Sequence, residues 1–416
     1  MRLVVILFAL FWVGTAAADL RGYVSKPDTS FAWRLRDNHG SAQGTHYRLE
    51  LRSQTWRGVP WQHELHLFTP KTASGKLAVL FVGTGPHDPM DLAVRVKAPV
   101  AVLTAVPNQP LLDGKYEDEL IAETFMRFIA TGEDDWPLLL PMLKSVVRAM
   151  DALQAFSRQH GGSIEGFVVT GASKRGWTSW LTAAIDARVR GVAPRVIDML
   201  NVAAQMPHQL ESWGQYSEML APYTNPGLPK FADSPQGRRL IEIVDPYSYR
   251  DHLDMPKLVL LGTNDRYWTL DALNLYWPNL PGPKSVLYIP NAGHSLASED
   301  AWLDALACFF VSVRAGEPLP PIEARARRDD DRLNLTVRAD VLAREVDLWQ
   351  AQSPTRDFRE ARWTSSPMPS SAQGWSGQIV LRDAAYTAAF ATVHFELHGQ
   401  RCALSTPVTI EPPAQK

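Results

Sequence analysis

The chain has 416 residues, 45% hydrophobic and 21% charged, a composition typical of soluble globular proteins. Its formal net charge of −2, with no long basic run, gives no electrostatic case for binding nucleic acid or an anionic membrane. The length is sufficient for two or three domains with a large hydrophobic core.

Residues 1–18 have the features of a secretory signal peptide. Arg2 supplies the positive start, residues 3–13 form an apolar core too short to span a bilayer, and residues 16–18 are alanines typical of a cleavage site. We expect cleavage before Asp19 and export to the periplasm or beyond; the alternative is an uncleaved N-terminal anchor. No later segment has the pattern of a transmembrane helix.

The mature chain alternates predicted strands and helices. Residues 47–53 and 62–68 alternate apolar and polar side chains, which predicts an antiparallel pair. Continuous apolar runs predict buried strands at 76–82, 100–106, 167–170, 191–196, 257–262 and 285–289. Helical periodicity covers 117–130 and 138–158, and a last helix ends near residue 313. This rhythm predicts an α/β fold with a mostly parallel, doubly wound sheet.

Two regions depart from this rhythm. Residues 201–239 are rich in Pro, Gly and Gln and weakly periodic, which indicates a lid-like insertion over the strand ends. A proline-rich hinge at 318–321 is followed by short alternating runs, which predict a small β-sandwich. We therefore expect a first domain over 19–317 and a second over 318–416.

The predicted strand at 167–170 ends in Gly171-Ala172-Ser173, and a helix follows. A serine at a sharp strand-to-helix turn has the geometry of a nucleophile elbow, with helix N–H groups beside any oxyanion that forms. The pattern here is G-x-S-x-x-G, with Arg175 where the commoner motif has glycine. A serine in this position is also a frequent helix N-cap, so a purely structural role is the alternative.

A serine nucleophile needs a histidine base and a carboxylate that orients it. Asp265 follows a predicted strand 92 positions after Ser173 (265 − 173), and His294 follows the last strand 29 positions later (294 − 265). The order Ser, acid, His is that of α/β-hydrolases, and strand ends are where such sites assemble. Asp198 and Asp271 are alternative acids.

The loop Gly83-Thr84-Gly85 directly follows a predicted central strand. In α/β-hydrolases the corresponding loop donates one oxyanion-hole N–H, so these residues are candidates; an ordinary glycine turn is the alternative. No His, Cys and Asp cluster has metal-ligand spacing, so we expect no metal and no organic cofactor.

The two cysteines, Cys308 and Cys402, leave two possibilities open. In an exported protein they can pair and tie a helix of the first domain to the C-terminal region. The alternative is two buried thiols.

Short motifs beyond the elbow span most of the mature chain: 106–110 (VPNQP), Glu117-Asp118, 136–138 (WPL), Pro141-Met142 with Lys144, 149–151 (AMD), Asp186, Arg188-Val189, Asp198, Leu200-Asn201, 245–247 (DPY), Pro256-Lys257, 290–294 (PNAGH), Leu348-Trp349 and 356–359 (RDFR). With the elbow run 171–178 (GASKRGWT), they resemble the PhoPQ-activated pathogenicity-related protein family. The resemblance implies an exported α/β-hydrolase with a C-terminal β-domain, and the family name associates it with virulence regulation.

One segment departs from that family. Asp265 is followed by 266–271 (RYWTLD), where the family tends to have an acidic-aromatic run and then Pro-Asp-Ser. The acid is retained, but the neighbouring pocket wall differs, so the resemblance does not transfer a substrate.

The G-x-S-[KR]-x-G pattern also resembles glucuronoyl esterases, in which the basic residue after the serine assists the oxyanion site. On that resemblance, Lys174 would donate its backbone N–H and Arg175 would stabilise a carboxylate or an oxyanion. The alternative is that both are surface charges at a helix N-terminus, although cations there oppose the helix dipole.

The sequence thus favours an exported serine hydrolase that cleaves an ester or amide carbonyl. Ser173 would attack, His294 would transfer the proton and Asp265 would orient the imidazole. The substrate would be a small molecule, a glycan or a peptide, and the sequence carries no signal for an oligomeric state. The alternative is a non-catalytic protein on a hydrolase fold that binds carbohydrate or another envelope component.

Overall fold

The computed structural model describes residues 20–340, 343–372 and 374–414. The predicted signal peptide lies outside the described residues and stays a prediction. Up to residue 289 the strands are β1 (Ala32–Gly40), β2 (Gly44–Trp56), β3 (Val59–Pro70), β4 (Leu77–Val82), β5 (Val100–Leu103), β6 (Gly166–Ala172), β7 (Val189–Arg195), β8 (Lys257–Gly262) and β9 (Lys284–Ile289). The C-terminal strands are β10 (Ile322–Asp329), β11 (Arg332–Ala339), β12 (Glu345–Ser353), β13 (Thr364–Pro367), β14 (Ser370–Ser371), β15 (Gly374–Val380), β16 (Tyr386–Leu397), β17 (Gln400–Ser405) and β18 (Thr409–Glu411).

Helices connect and cover these strands. The α-helices are α1 (Leu20–Ser25), α2 (Pro89–Val96), α3 (Glu117–Thr131), α4 (Leu139–Gln159), α5 (Lys174–Ile185), α6 (Val202–Trp213), α7 (Ala221–Thr224), α8 (Pro235–Val244) and α9 (Glu299–Ala315). Short 3₁₀ turns lie at Glu218–Leu220, Leu228–Phe231, Pro246–His252, Ala272–Leu275 and Trp277–Asn279. The predicted helices at 117–130 and 138–158 correspond to α3 and α4. None of the helices in the described part of the chain has the length and apolarity needed to cross a membrane.

One sheet organises the described residues, in the order β1-β2-β3-β5-β4-β6-β7-β8-β9-β17-β16-β12-β13. Strands β4 to β9 are mutually parallel, and β1 to β3 form an antiparallel ladder at one end. Along β4, Leu80 and Val82 pack with α4 and α5, whereas Val79 and Phe81 pack with α2 and α9 on the opposite face. Covered faces on both sides explain the continuous apolar runs, and the predicted α/β fold with its mostly parallel sheet is confirmed.

The insertion after β7 is more regular than its composition indicates. It begins with α6, includes α7 and α8, and ends in the 3₁₀ turn at Pro246–His252. The Trp177 indole on α5 donates to the Val244 carbonyl at 2.5 Å, and the Tyr223 hydroxyl on α7 donates to Asp118 at 3.0 Å. The insertion therefore packs against the helices α3 and α5, which flank the predicted elbow.

The C-terminal strands form two antiparallel groups. β10, β11, β15 and β14 make a separate four-stranded sheet, and Leu333 and Leu335 on β11 pack in the same core as Leu348 on β12. The second group continues the main sheet, since β17 pairs with β9 through Ser405 and Val286. The central sheet thus runs across the predicted boundary at residue 318.

The two cysteines form a disulfide. Cys308 on α9 is bonded to Cys402 on β17, with the Cα atoms 5.6 Å apart. Of the two possibilities left by the sequence, the structure has the cross-link, which fastens the C-terminal strands to the helix that follows the predicted catalytic histidine.

Candidate active site

Ser173 lies at the turn between β6 and α5. Its backbone is at φ 55° and ψ −129°, in a region that residues with a side chain rarely adopt. A Cβ added to Gly171 would lie 2.6 Å from the Arg175 carbonyl oxygen, and one added to Gly176 would lie 2.7 Å from Ile197. Glycine is therefore required at both ends of the G-x-S-x-x-G motif, because the strand, turn and helix approach one another so closely.

The serine hydroxyl does not cap the helix. Ser173 lies at the N-cap position of α5 but its side chain makes no capping hydrogen bond, so the capping alternative is wrong. Its backbone N–H donates to the Arg195 carbonyl of the neighbouring strand at 2.9 Å. Backbone strain at a non-glycine residue, maintained by the surrounding structure, is typical of functional positions.

His294 and Asp265 are brought together by the loops after β9 and β8. Nδ1 of His294 lies 2.8 Å from Oδ2 of Asp265, and the other carboxylate oxygen accepts the Tyr267 backbone N–H at 3.0 Å. The two loops approach closely because Gly262 has no side chain: a Cβ there would lie 2.4 Å from the Ala292 carbonyl oxygen. Since a carboxylate only accepts hydrogen bonds, Nδ1 carries the proton.

The other imidazole nitrogen, Nε2 of His294, is buried and has no hydrogen-bond partner among the described residues. It therefore does not bond to the Ser173 hydroxyl in this structure. The Tyr267 ring lies against the imidazole, with the ring centroids 4.3 Å apart. In a neutral imidazole with its proton on Nδ1, Nε2 presents a lone pair that can accept a proton.

The two alternative acids have other partners. Asp271 accepts from His208 Nε2 at 2.8 Å and forms an ion pair with Arg356 at 2.5 Å. Burial alone would raise the pKa of Asp271, but His208 and Arg356 outweigh it and hold that pKa below its ordinary value. Asp198 is buried, accepts the Tyr276 hydroxyl at 2.6 Å, and has its pKa raised to about 7 by burial.

The predicted oxyanion loop follows β4. The Gly83 N–H donates to the Leu103 carbonyl at 2.8 Å and is therefore engaged within the sheet. In the described ranges we find no acceptor for the N–H groups of Thr84, Gly85 or Lys174. A Cβ on Gly85 would lie 2.7 Å from Val102, so the backbone is held closely against β5. Thr84, Gly85 and Lys174 keep free donors, whereas Gly83 does not.

The charged side chains that follow the serine are paired. Arg175 makes a two-pronged ion pair with Glu117, at 2.5 and 2.6 Å, and its Nε donates to the Val106 carbonyl at 2.7 Å. Lys174 Nζ lies 2.8 Å from Glu117 and 3.3 Å from Asp118, with its side chain only 8% exposed. The two cations therefore attach the elbow to the first turn of α3, and Arg175 also attaches it to Val106 before that helix. Neither is a free surface charge.

This acidic pair was not assigned a role by the sequence. Gln109 supports it, since its side chain donates to Glu117 Oε1 at 2.5 Å and accepts the Glu117 N–H at 2.8 Å. Asp118 also accepts the hydroxyls of Tyr223 at 3.0 Å and Tyr267 at 3.4 Å. The network links the elbow, the insertion and the tyrosine that packs on His294. The sequence feature that could have indicated this network is the presence of family motifs at 106–110 and at Glu117-Asp118.

A cavity of about 490 Å³ opens beside the oxyanion loop. Neither Ser173 nor His294 lines it. Its walls are His66, Phe68, Gly83, Thr84, Gly85, Pro86, Pro89, Val102, Thr104, Ala105, Val106, Pro107, Gln109 and Arg175. The described residues contain no group of three or more His, Cys, Asp or Glu side chains placed to hold a metal ion.

A family model described as PhoPQ-activated pathogenicity-related protein matches residues 20–359. The chain belongs to this family. A relative from Dictyostelium discoideum, autocrine proliferation repressor protein A, is 33% identical over 394 residues, which cover 86% of this chain and 79% of the relative. The resemblance read from the motifs is thus confirmed.

Solved structures show remote likeness only. Acetyl xylan esterase 1 from Thermoanaerobacterium sp. JW/SL YS485 is 14% identical, with a TM-score of 0.49, over 71% of this chain and 93% of its own. A glucuronoyl esterase from Solibacter usitatus is 10% identical, with a TM-score of 0.42, over 69% of this chain and 87% of its own. The chemistry of the site therefore rests on this chain's own residues.

Proposed function

We propose that this protein is a serine hydrolase with Ser173 as nucleophile, His294 as general base and acid, and Asp265 as the residue that orients the histidine. The observation that carries the proposal is the 2.8 Å contact between His294 Nδ1 and Asp265, which leaves Nε2 buried and unpartnered. Both residues follow parallel strands of the sheet that also holds the strained Ser173 turn. A serine, a histidine and a carboxylate are the side chains that acyl transfer of this kind requires, which supports the proposal.

The reaction follows from these parts. Ser173 Oγ attacks the substrate carbonyl carbon while His294 Nε2 takes the hydroxyl proton, and the carbonyl electrons move to oxygen. The N–H of Lys174 and one from Thr84 or Gly85 bind that oxyanion. His294 then protonates the departing alcohol or amine, leaving an acyl-serine. Water attacks this ester with the same histidine as base, which releases the acid and restores Ser173.

The substrate class that we place first is an ester, with amides second. The ester preference rests on the likeness of the elbow motif to glucuronoyl esterases rather than on a bound ligand. The compound cleaved would be a small molecule, a glycan or a peptide. We further propose export to the periplasm or beyond and a role at the cell envelope, for which the Cys308–Cys402 disulfide is supporting evidence because such bonds persist in oxidising compartments.

Steady-state hydrolysis of p-nitrophenyl acyl esters and of aminopeptidase substrates tests the proposal. We expect ester turnover by the wild type, loss of turnover in Ser173→Ala, and retention in Ser179→Ala, a matched serine on α5 whose hydroxyl bonds to the Arg175 carbonyl. Rapid amide cleavage with poor ester turnover would reverse the substrate order. Absence of turnover on every substrate by a folded wild type favours the non-catalytic binding protein.

A further inference from the structure

Arg195, the last residue of β7, is a buried arginine. It is only 7% exposed, and its guanidinium forms no salt bridge within the described part of the chain. Its Nε is buried and has no hydrogen-bond partner in the described part of the chain. The guanidinium carbon lies 4.2 Å from the centre of the Trp302 ring and 5.6 Å from that of Phe81.

Such a residue is costly to keep. Burial of a charge that makes no salt bridge is unfavourable, and contact with aromatic faces compensates only in part. Burial lowers the pKa of Arg195 to about 10, against the charge of Glu299, which raises that pKa, so the side chain remains a cation near neutral pH. Val196, which follows, is β-branched and sits at φ 47°, a conformation that this residue type rarely adopts. Two unfavourable features therefore occur side by side at the end of β7.

The contacts of Arg195 join the two halves of the proposed catalytic site. Its backbone carbonyl accepts the Ser173 N–H at 2.9 Å, and its side-chain Nη2 donates to the Thr84 carbonyl at 3.2 Å. In a trans peptide the C=O and the following N–H point in opposite directions. Holding the Thr84 carbonyl toward Arg195 therefore directs the Gly85 N–H away from it, and that N–H has no acceptor among the described residues.

A second contact fixes the same loop. The His87 N–H donates to the Glu299 carboxylate at 3.0 Å, at the first residue of α9. Trp302, on the same helix, provides the aromatic face under Arg195. The loop is thus held at Thr84 by the arginine and at His87 by the glutamate, and the peptide between Thr84 and Gly85 cannot rotate without breaking the first of these bonds.

We propose that Arg195 is a positioning residue for the oxyanion site, which fixes the Thr84–Gly85 peptide so that the Gly85 N–H faces the substrate carbonyl. The inference rests on the proposed serine-hydrolase function. Arg195 does not touch substrate. It acts through the peptide that it holds, because a fixed peptide has its N–H already aimed when negative charge develops on the substrate oxygen. Gly85 is thereby selected over Gly83 and Thr84 as the loop's donor.

The test compares Arg195→Met with wild type and with Arg314→Met. Arg314 is a matched control, because it also donates to a backbone carbonyl, that of Val96, and lies over an aromatic ring, Phe310, but at the far end of α9. We would measure kcat and KM on p-nitrophenyl acetate, and the inhibition constant of a trifluoromethyl ketone, which forms an oxyanion on the serine. The corresponding secondary alcohol, which forms none, serves as the ground-state ligand.

For Arg195→Met we expect kcat to fall about 30-fold with KM within about twofold, since one oxyanion donor is worth roughly 100-fold or more and here is displaced rather than removed. The ketone should bind more weakly by about the same factor, and the alcohol unchanged. Arg314→Met should retain wild-type kcat. If Arg195 had only a structural role, its replacement would lower the melting temperature but would not weaken ketone binding more than alcohol binding.

Arg195→Lys keeps the charge and the aliphatic stem, and it carries the same comparison if Arg195→Met does not fold. The proposal is supported if Arg195→Lys lowers kcat and the affinity for the ketone by less than Arg195→Met is expected to, and leaves KM and the affinity for the alcohol unchanged. Equal kcat and ketone affinity in the folded variants and in the wild type overturn it while leaving the hydrolase function intact. A wild type that neither turns over ester nor binds the ketone overturns the proposed function itself.

Discussion

Arg175 and Glu117 form a two-pronged ion pair, at 2.5 and 2.6 Å, between the first turn of α5 and the first residue of α3. Lys174 binds the same carboxylate at 2.8 Å. The residues directly after Ser173 thus fix the start of α3 beside the elbow. This pairing accounts for a basic dipeptide at a helix N-terminus, where the helix dipole alone would disfavour it.

The ion pairs of Glu117 with Arg175 and Lys174 predict a contribution to folding stability that is lost in acid. Burial would raise the pKa of Glu117, but Arg175 and Lys174 lower it to about 2, from an ordinary value of 4.5. A lowered folded-state pKa stabilises the fold above the ordinary pKa, and the stability is lost as the pH falls from about 4.5 toward 2. Because Glu117 is part-exposed, we expect a loss of only about 1–2 kcal/mol.

Urea unfolding of wild type and Glu117→Gln between pH 7 and pH 3 measures this contribution. The variant should be less stable at pH 7, and the difference should shrink as the pH falls. Glu165→Gln is the control, since Glu165 pairs with Lys76 on the exposed surface. A difference between wild type and Glu117→Gln that is constant with pH would contradict the assignment.

The acid assignment predicts opposite results for two aspartates. Asp265→Asn should lower kcat by about 10³–10⁴-fold, because the amide no longer holds His294 in the productive tautomer. Asp271→Asn should stay within a few-fold of wild type, since Asp271 bonds to His208 and Arg356 instead. Ester turnover by the two purified variants is the measurement. Activity that is lost in Asp271→Asn and kept in Asp265→Asn would refute the assignment.

The ring of Tyr267 predicts a positioning effect on the histidine. Tyr267→Leu removes the face that packs on His294 at 4.3 Å, and we expect kcat to fall about 10-fold by loss of aromatic contact and of ring orientation. Tyr267→Phe keeps the ring and loses only the 3.4 Å bond to Asp118, so it should retain most activity. Equal losses in both variants would place the effect on the hydroxyl instead.

The disulfide predicts a stability effect that is separate from catalysis. The bond between Cys308 and Cys402 spans a sequence separation of 94 residues, and loops of this length give about 3–5 kcal/mol. Double replacement by alanine should lower the melting temperature yet leave kcat at 25 °C near wild type. Unchanged melting under oxidising conditions, or two titratable thiols in the unreduced wild type, would argue against the bond.

The parts of the fold that the sequence predicted are those with a local signal. Leu77–Val82 is apolar on both faces because helices cover both sides, and such a run reads as a buried strand. β1, from Ala32 to Gly40, has no such pattern, since most of its residues are exposed, and it was missed. The predicted strand at 100–106 ends at Leu103, because Ala105 turns the chain at φ 54°.

In the candidate site, too, the residues with a local sequence signal could be predicted and those joined by long-range contacts could not. Ser173, Asp265 and His294 could be predicted as candidates because each follows a strand in a recognisable order. The partners of Lys174 and Arg175 could not, since Glu117 lies 58 positions from Arg175 and only the folded sheet brings them together. The continuation of the main sheet through Ser405 and Val286 is likewise a long-range pairing that no local pattern encodes.

Labelling with a fluorophosphonate, followed by peptide mass spectrometry, tests the central claim most directly. The account predicts a single phosphonyl adduct on the peptide that contains Ser173, absent in Ser173→Ala and much slower in His294→Ala, with Ser179→Ala labelled like the wild type. A folded wild-type protein that stays unlabelled, or an adduct on any other serine, would contradict it.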